Sequence, residues 1–203
     1  MESLEVFFAS LLIGLSIAAP VGPIGLLVIQ RSLDTGPRAG LAAGLGAAAA
    51  DAVYGAVGAF GVHGLIQALV AVRVPLAVGG AAFLLWMAWG IARAPVAEHA
   101  ATAEPQHGLW RLFTGTFVLT LSNPATVLAF VAIFGALAGR VANASPITVV
   151  LGVLTGSALW WLCLSSVVGR LRVRFDARWR RRINRASAAL LAAFAVWQLA
   201  SLV

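Results

Sequence analysis

Charge is scarce in this sequence. Only 10% of its 203 residues are charged, 61% are hydrophobic, and the mean hydropathy is +0.96. A soluble domain of this length cannot hide that much apolar surface, whereas a lipid-embedded bundle need not. Cysteine occurs once, at Cys163, which rules out a disulfide within one chain and thiol-pair redox chemistry. Every one of the fourteen basic residues is arginine. The apolar stretches hold one acid and no mid-stretch histidine, so the Ser/His, Asp/Asp or metal clusters of an intramembrane hydrolase are missing. No catalytic residue and no cofactor is expected. His99 and His107 lie in a polar segment with Glu98 and Glu104 but without Cys or a helical ligand spacing, so no metal site is expected there. His63 falls at the end of an apolar stretch, where an interfacial place suits it.

What the chain has in quantity is long apolar runs. Six of them cover about 6–30, 39–62, 74–92, 112–139, 147–169 and 186–203. Crossing a bilayer takes roughly 20 apolar residues, so all six are long enough, the third and sixth only just. The fold class implied is an all-α polytopic membrane protein with six transmembrane helices, forming a single membrane domain over 1–203. The first run differs from a signal peptide: Glu2 and Glu5 precede it without Arg or Lys, and it outruns an h-region, so no cleavage is expected. Twelve arginines fall in the odd-numbered loops (Arg31, Arg38, Arg93, Arg111 and eight from Arg170 to Arg185), against Arg73 and Arg140 on the other side. The positive-inside rule then places the odd loops in the cytoplasm and both termini outside, in a bacterial-type plasma (inner) membrane. The net charge of +7 reflects this orientation rather than nucleic-acid binding.

Two of the runs are interrupted by proline at matching places. The first carries Pro20-Val21-Gly22-Pro23 in its second half, and the fourth carries Asn123-Pro124 in its middle. A shift of 104 positions lays Leu15–Pro20 on Leu119–Pro124. Proline inside a helix strips the carbonyl four residues earlier of its partner, here Ser16, Ala19 and Thr120. In hydrocarbon each such carbonyl costs several kcal/mol unless something satisfies it. Broken helices at corresponding places in two halves point to the central site of a secondary transporter. Residues 1–93 and 111–203 form the two three-helix halves, of opposite topology because each crosses an odd number of times. Residues 94–110 join them, with the small, polar, proline-bounded segment 94–107 as a flexible cytoplasmic linker.

Each break also creates a helix start. After Pro23 the backbone N–H groups of Ile24, Gly25 and Leu26 are expected to be free; Asn123 is a natural N-cap with Pro124 at the first helical position, leaving Ala125, Thr126 and Val127 similarly exposed. Two such starts suit a carboxylate or another small anion. The candidate substrate-binding set is therefore Pro20, Gly22, Pro23, Ile24, Gly25, Asn123, Pro124, Ala125 and Thr126, with the glycines admitting close backbone approach. A pair of kinks that shape the bundle and bind nothing is the plainer reading.

Asp51 is the one acid inside any run, about halfway along the second. A charge there costs at least ~2.5–3.5 kcal/mol. It suits a proton acceptor, a counter-charge for a substrate amine or a partner for a cation between helices, and a protonated acid bonded to a neighbouring helix is the structural alternative. Tyr54, at i+3, is placed to hydrogen-bond to Asp51 or to substrate. Gln30 and Ser16 are weaker polar neighbours of the first break. Interface belts and packing account for Trp86, Trp89, Trp160 and Trp161 better than substrate stacking does. The second run is rich in glycine and alanine, and its Gly40-x-x-x-Gly44 spacing admits close approach by another helix. The basic stretch Gly169–Arg185 reads as an amphipathic cytoplasmic segment, with Phe175, Trp179 and Ile183 as its apolar stripe and Arg178, Arg181, Arg182 and Arg185 toward anionic lipid head groups.

Three blocks, Ala19–Gly40, Gly44–Gly61 and Leu121–Phe130, resemble in this order the LysE-type translocators, the amino-acid exporter family that includes the homoserine/threonine exporters. The resemblance runs over nearly the whole chain. It implies export of amino acids or related small solutes from the cytoplasm, coupled to the proton gradient. One departure is Val21 between Pro20 and Gly22, where many members carry Pro-Gly-Pro. The implied partners are a small-molecule substrate (an amino acid or analogue), protons and membrane lipids, with no nucleic acid; the chain also admits a homo-oligomer. Expelling a monovalent cation against an inside-negative potential costs ~2.3 kcal/mol per 100 mV. With Asp51 alone and no acid among residues 125–134, a neutral amino acid or analogue fits better than lysine or arginine. The competing readings are a carrier for another solute such as an inorganic ion, and a non-transporting scaffold.

The arginine count makes a topological prediction. On a Cys163→Ala background, Ser145→Cys reacts with an impermeant thiol reagent added outside intact cells, whereas Ala100→Cys and Ala177→Cys do not. External labelling at 100 or 177 reverses the orientation.

Overall fold

The computed structural model describes residues 2–20, 22–60, 73–93, 108–123, 125–130, 133, 145–171 and 177–200, and all regular structure among them is helical. Among the described residues eight helices follow in order: α1 (Glu2–Ala18), α2 (Pro23–Asp34), α3 (Pro37–Ala59), α4 (Arg73–Arg93), α5 (Leu109–Leu121), α6 (125–130), α7 (Pro146–Leu171) and α8 (Ala177–Ala200). Among the described residues α3 and α7 are each long and apolar enough to cross a membrane, and α1 with α2 makes a third such unit bent by 79°. α4 and α8 cover the third and sixth apolar runs, and α5 is a shorter apolar helix. Expectations that rested on the 94–107 linker with His99 and His107, on His63, on Pro124 and on Phe175 lie outside the described residues, as does the side chain of Trp179.

The breaks form where proline dictates. α1 stops at Ala18, two residues before Pro20, because the residue before a proline is pushed out of the helical region. α2 starts with Pro23 at its first position, where the missing N–H would have been unpaired anyway, and Gly22 serves as its N-cap. The turn from α2 to α3 depends on Gly36, whose φ of 115° suits glycine alone, followed by Pro37 as the first residue of α3.

α3 is the central helix. Its most apolar window is 61% buried against 33% for α7, because α2, α5 and α7 all pack on it. The small residues decide how close they come. Gly40 faces Ser32 of α2, Gly44 faces the Trp161 side chain of α7, and Gly46 faces the Phe113 carbonyl of α5. The GxxxG pair thus serves two neighbours rather than one. α1 packs on α7 by the same device: a Cβ at Gly152 would lie 2.6 Å from Ser10 Cβ and 2.7 Å from the Phe7 carbonyl, and Gly156 abuts the Leu11 carbonyl. α4 packs against α8. Trp86 and Trp89 stay exposed near the end of α4, with the Arg93 guanidinium 3.7 Å over the Trp89 ring, as interfacial residues do. The basic stretch is not a separate segment, because from Ala177 it runs without interruption into α8, with Arg181, Arg182 and Arg185 exposed.

These contacts predict that Gly152→Ala forces α1 and α7 apart, an overpacking cost of about 1–3 kcal/mol. Thermal unfolding in detergent should show a lowered midpoint for Gly152→Ala and none for Gly115→Ala, whose new Cβ meets nothing within 4 Å. Equal midpoints for the two variants contradict the packing account.

Candidate functional site

At the first break the Leu26 N–H donates to the Gly22 carbonyl at 3.0 Å, closing the first turn of α2. Leu26 is therefore not free, contrary to expectation, and helix geometry leaves as open donors the N–H groups of Ile24 and Gly25, which have no acceptor among the described residues. The second break satisfies itself more fully. Asn123 is the N-cap expected of it: its Oδ1 accepts from the Ala125 N–H at 3.1 Å. Its carbonyl accepts from Thr126 at 3.0 Å and Val127 at 3.2 Å, and its own N–H donates to the Thr120 carbonyl at 3.1 Å. The expected free donors at Ala125, Thr126 and Val127 are thus already used, because a capping asparagine consumes them. The Thr120 carbonyl, expected to be orphaned by Pro124, is paired by a tight turn.

Tyr54 is at neither place foreseen for it. Its hydroxyl donates to the Leu121 carbonyl at 2.5 Å, and its ring stacks on Phe130 at 5.3 Å between centroids. From α3 it touches both sides of the second break, the last residue of α5 and Phe130 of α6, supplying a partner to one of the last carbonyls of α5. It does not line the cavity described below.

Asp51, 3% exposed on α3, accepts a hydrogen bond on Oδ2 from the Ser157 hydroxyl of α7 at 2.7 Å. The Trp161 indole Nε1–H donates to Ser157 Oγ at 3.1 Å, so a directed chain runs from Trp161 through Ser157 to the carboxyl. An indole N–H can only donate, which turns the serine hydroxyl hydrogen toward Asp51.

These elements border a cavity of about 70 Å³. Pro20, Gly22, Pro23, Ile24 and Gly25 line it from the first break, Asn123 and Thr126 from the second, and Asp51 from α3 between them. Thr120, Ala47 and Trp161 add to the wall, as do Ile17 and Ala18 of α1. Of the candidate set, Ala125 and Tyr54 are not in the lining, and Pro124 is outside the described residues. The weaker candidates are elsewhere: Ser16 is exposed, and Gln30 is buried, donating from Nε2 to Ser187 Oγ of α8 at 2.6 Å. The described lining presents one carboxyl group, two hydroxyls (Thr126, and Thr120, which donates to the Thr116 carbonyl), an amide and two backbone donors in apolar surroundings, a set suited to a small polar solute. Among the described residues no group of three His, Cys, Asp or Glu could hold a metal ion.

Sequence reasoning missed Ser157 and assigned Trp161 to belts and packing. Trp161 does pack in the core, but it is buried at 3% exposure away from any interface belt and also faces the cavity. The available signal was the spacing Val153, Ser157, Trp161, which places a polar residue on the same helical face as two large apolar ones.

The profile of the family described as LysE type translocator matches residues 15–201. The chain is similar to the uncharacterized membrane protein YahN of Escherichia coli, 32% identical over 174 residues that cover 84% of this chain and 78% of that protein. It is 27% identical to the putative amino acid efflux protein YcgF of Bacillus subtilis over 178 residues, 83% of each. It is 25% identical to the arginine exporter protein ArgO of Pectobacterium atrosepticum over 163 residues, 79% of each. No solved structure matches. With apolar helices of membrane-crossing length and a family match over nearly all its residues, the chain belongs to the LysE type translocator family of membrane transporters.

Proposed function

We propose that this protein is a proton-coupled secondary transporter that exports a neutral amino acid, or a closely related small solute, from the cytoplasm across the inner membrane. The observation that carries the reading is the meeting of two helix breaks and the lone intramembrane acid, Asp51, at one cavity. The substrate carboxylate sits at the start of α2, toward the N–H groups of Ile24 and Gly25, where the helix dipole also favours negative charge. Asp51, at the same cavity, takes up and releases a proton during the cycle.

The packing supports an inverted repeat of six spans, with α1–α2 and α5–α6 as the broken ones. Exchanging α1 for α5, α3 for α7 and α4 for α8 turns the α1–α7 contact into the α5–α3 contact, and leaves α3–α7 and α4–α8 unchanged. That reciprocity is what two halves of opposite topology, 1–93 and 111–203, require. Alternating access then follows from rocking one half against the other around the fixed site, with both termini outside.

ArgO is named for arginine, yet a cationic side chain would call for an acid of its own, and among the described lining residues the one acid is Asp51, which the proton cycle uses. The reading as an inorganic-anion carrier needs donors from both helix starts, and Asn123 has taken those of the second.

The mechanism turns on Asp51. In proteoliposomes, Asp51→Asn should abolish export driven by a pH gradient while substrate exchange continues, since the amide keeps the shape and loses the titration. Loss of exchange together with net export assigns Asp51 to the substrate amine instead. Normal pH-driven export by the variant removes Asp51 from the mechanism, and no flux of any small solute by the unmodified protein favours the scaffold.

A further inference from the structure

Trp161 is more buried than its half-buried neighbour Trp160 and differs most from the tryptophans on the surface. Trp86, Trp89, Trp110 and Trp197 are 60 to 72% exposed on the outer face, whereas Trp161 is 3% exposed and forms part of the cavity wall. Two independent features fix it there. On its backbone side it fits against Gly44 of α3: a Cβ at that glycine would lie 2.8 Å from Trp161 Cγ and closer still to its Cβ. On its polar edge Nε1–H is bonded to Ser157, which is bonded in turn to Asp51. Swinging the indole aside therefore means breaking a buried hydrogen bond and leaving an unpaired N–H in an apolar bundle.

The space this wall leaves is small. A cavity that admits benzene has a volume of about 150 Å³, and this one has about 70 Å³. The ammonium and carboxylate common to all amino acids take most of it. Side-chain atoms that extend toward α7 meet the Trp161 indole, and those that extend toward α2 meet its backbone at Gly22–Gly25.

We propose that Trp161 is the specificity-determining residue of the site: held by Gly44 and by the Ser157–Asp51 chain, its indole restricts the transported solutes to amino acids with small uncharged side chains, of the size of glycine, alanine or serine. The inference rests on the transport reading above and adds to it the substrate class and the residue that sets it. The same contacts make Gly44 a determinant at one remove, since a side chain there pushes the indole into the cavity.

The test is a flux panel in proteoliposomes with glycine, alanine, leucine, phenylalanine and arginine, each supplied as a labelled solute. The unmodified protein should move glycine and alanine and exclude the other three by roughly tenfold or more, the range over which an apolar pocket discriminates. Trp161→Leu and Trp161→Phe should each gain flux of leucine, and Trp161→Leu of phenylalanine as well. A gained substrate cannot arise from a misfolded variant. Gly44→Ala should lower alanine flux more than glycine flux. Transport of leucine or arginine by the unmodified protein at the rate of alanine overturns the proposal without any variant being made. A Trp161→Leu protein that moves alanine with an unchanged panel overturns the role of Trp161 and leaves the transport reading standing. Absence of flux for all five solutes in the unmodified protein overturns both.

Discussion

Backbone groups released by a helix break cannot turn to bulk water inside hydrocarbon, and the arrangement around both breaks follows from that constraint. At the second break the solution is internal: Asn123 pairs the donors of Ala125, Thr126 and Val127, and Tyr54 reaches from α3 to the Leu121 carbonyl. At the first break it is incomplete, since Gly22 closes one turn of α2 and leaves Ile24 and Gly25 beside the cavity. The two breaks look alike in the sequence but have different chemistry. One closes on itself, and the other leaves two donors beside the cavity.

The same constraint governs Asp51. A carboxyl group inside the bundle needs a hydrogen-bond partner whatever its protonation state, and Ser157 provides one from α7. The partner must come from another helix, so α3 and α7 have to lie close, and Gly44 and Gly55 allow that approach against Trp161 and Val153. Glycine content in α3 is thus tied to the site and not only to packing. Removing the side chains at positions 40, 44 and 46 lets α2, α7 and α5 converge on one helix, and the cavity is the space left where they meet around Asp51.

Much of this could be read from the chain before any coordinates. Proline placement located both breaks, the lone acid marked α3, and the Asn-Pro pair announced a cap, because each is a local rule of backbone geometry or solvation. What could not be read was pairing across the bundle. Tyr54 one turn from Asp51 suggested a bond between the two, but three residues of offset turned its hydroxyl toward α5 instead. Ser157 and Trp161 sit in an apolar run whose hydropathy does not distinguish a lipid-facing side chain from a cavity-facing one. Free N–H groups at residues 125–127 were inferred from helix geometry alone, and the residue identified as the cap consumes them, Ala125 with its side chain and Thr126 and Val127 with its carbonyl.

The central claim is that one solute-sized cavity between the breaks is reached alternately from each side of the membrane. The direct measurement is thiol accessibility of Ala47→Cys and Thr126→Cys, on a Cys163→Ala background, in vesicles of both orientations with and without alanine. Both positions line the cavity, one from α3 and one from α6. Labelling from either side, slowed by alanine in each case, is the result the account predicts. Positions that stay unreactive from both sides, or that label from one side at a rate alanine does not change, would contradict it.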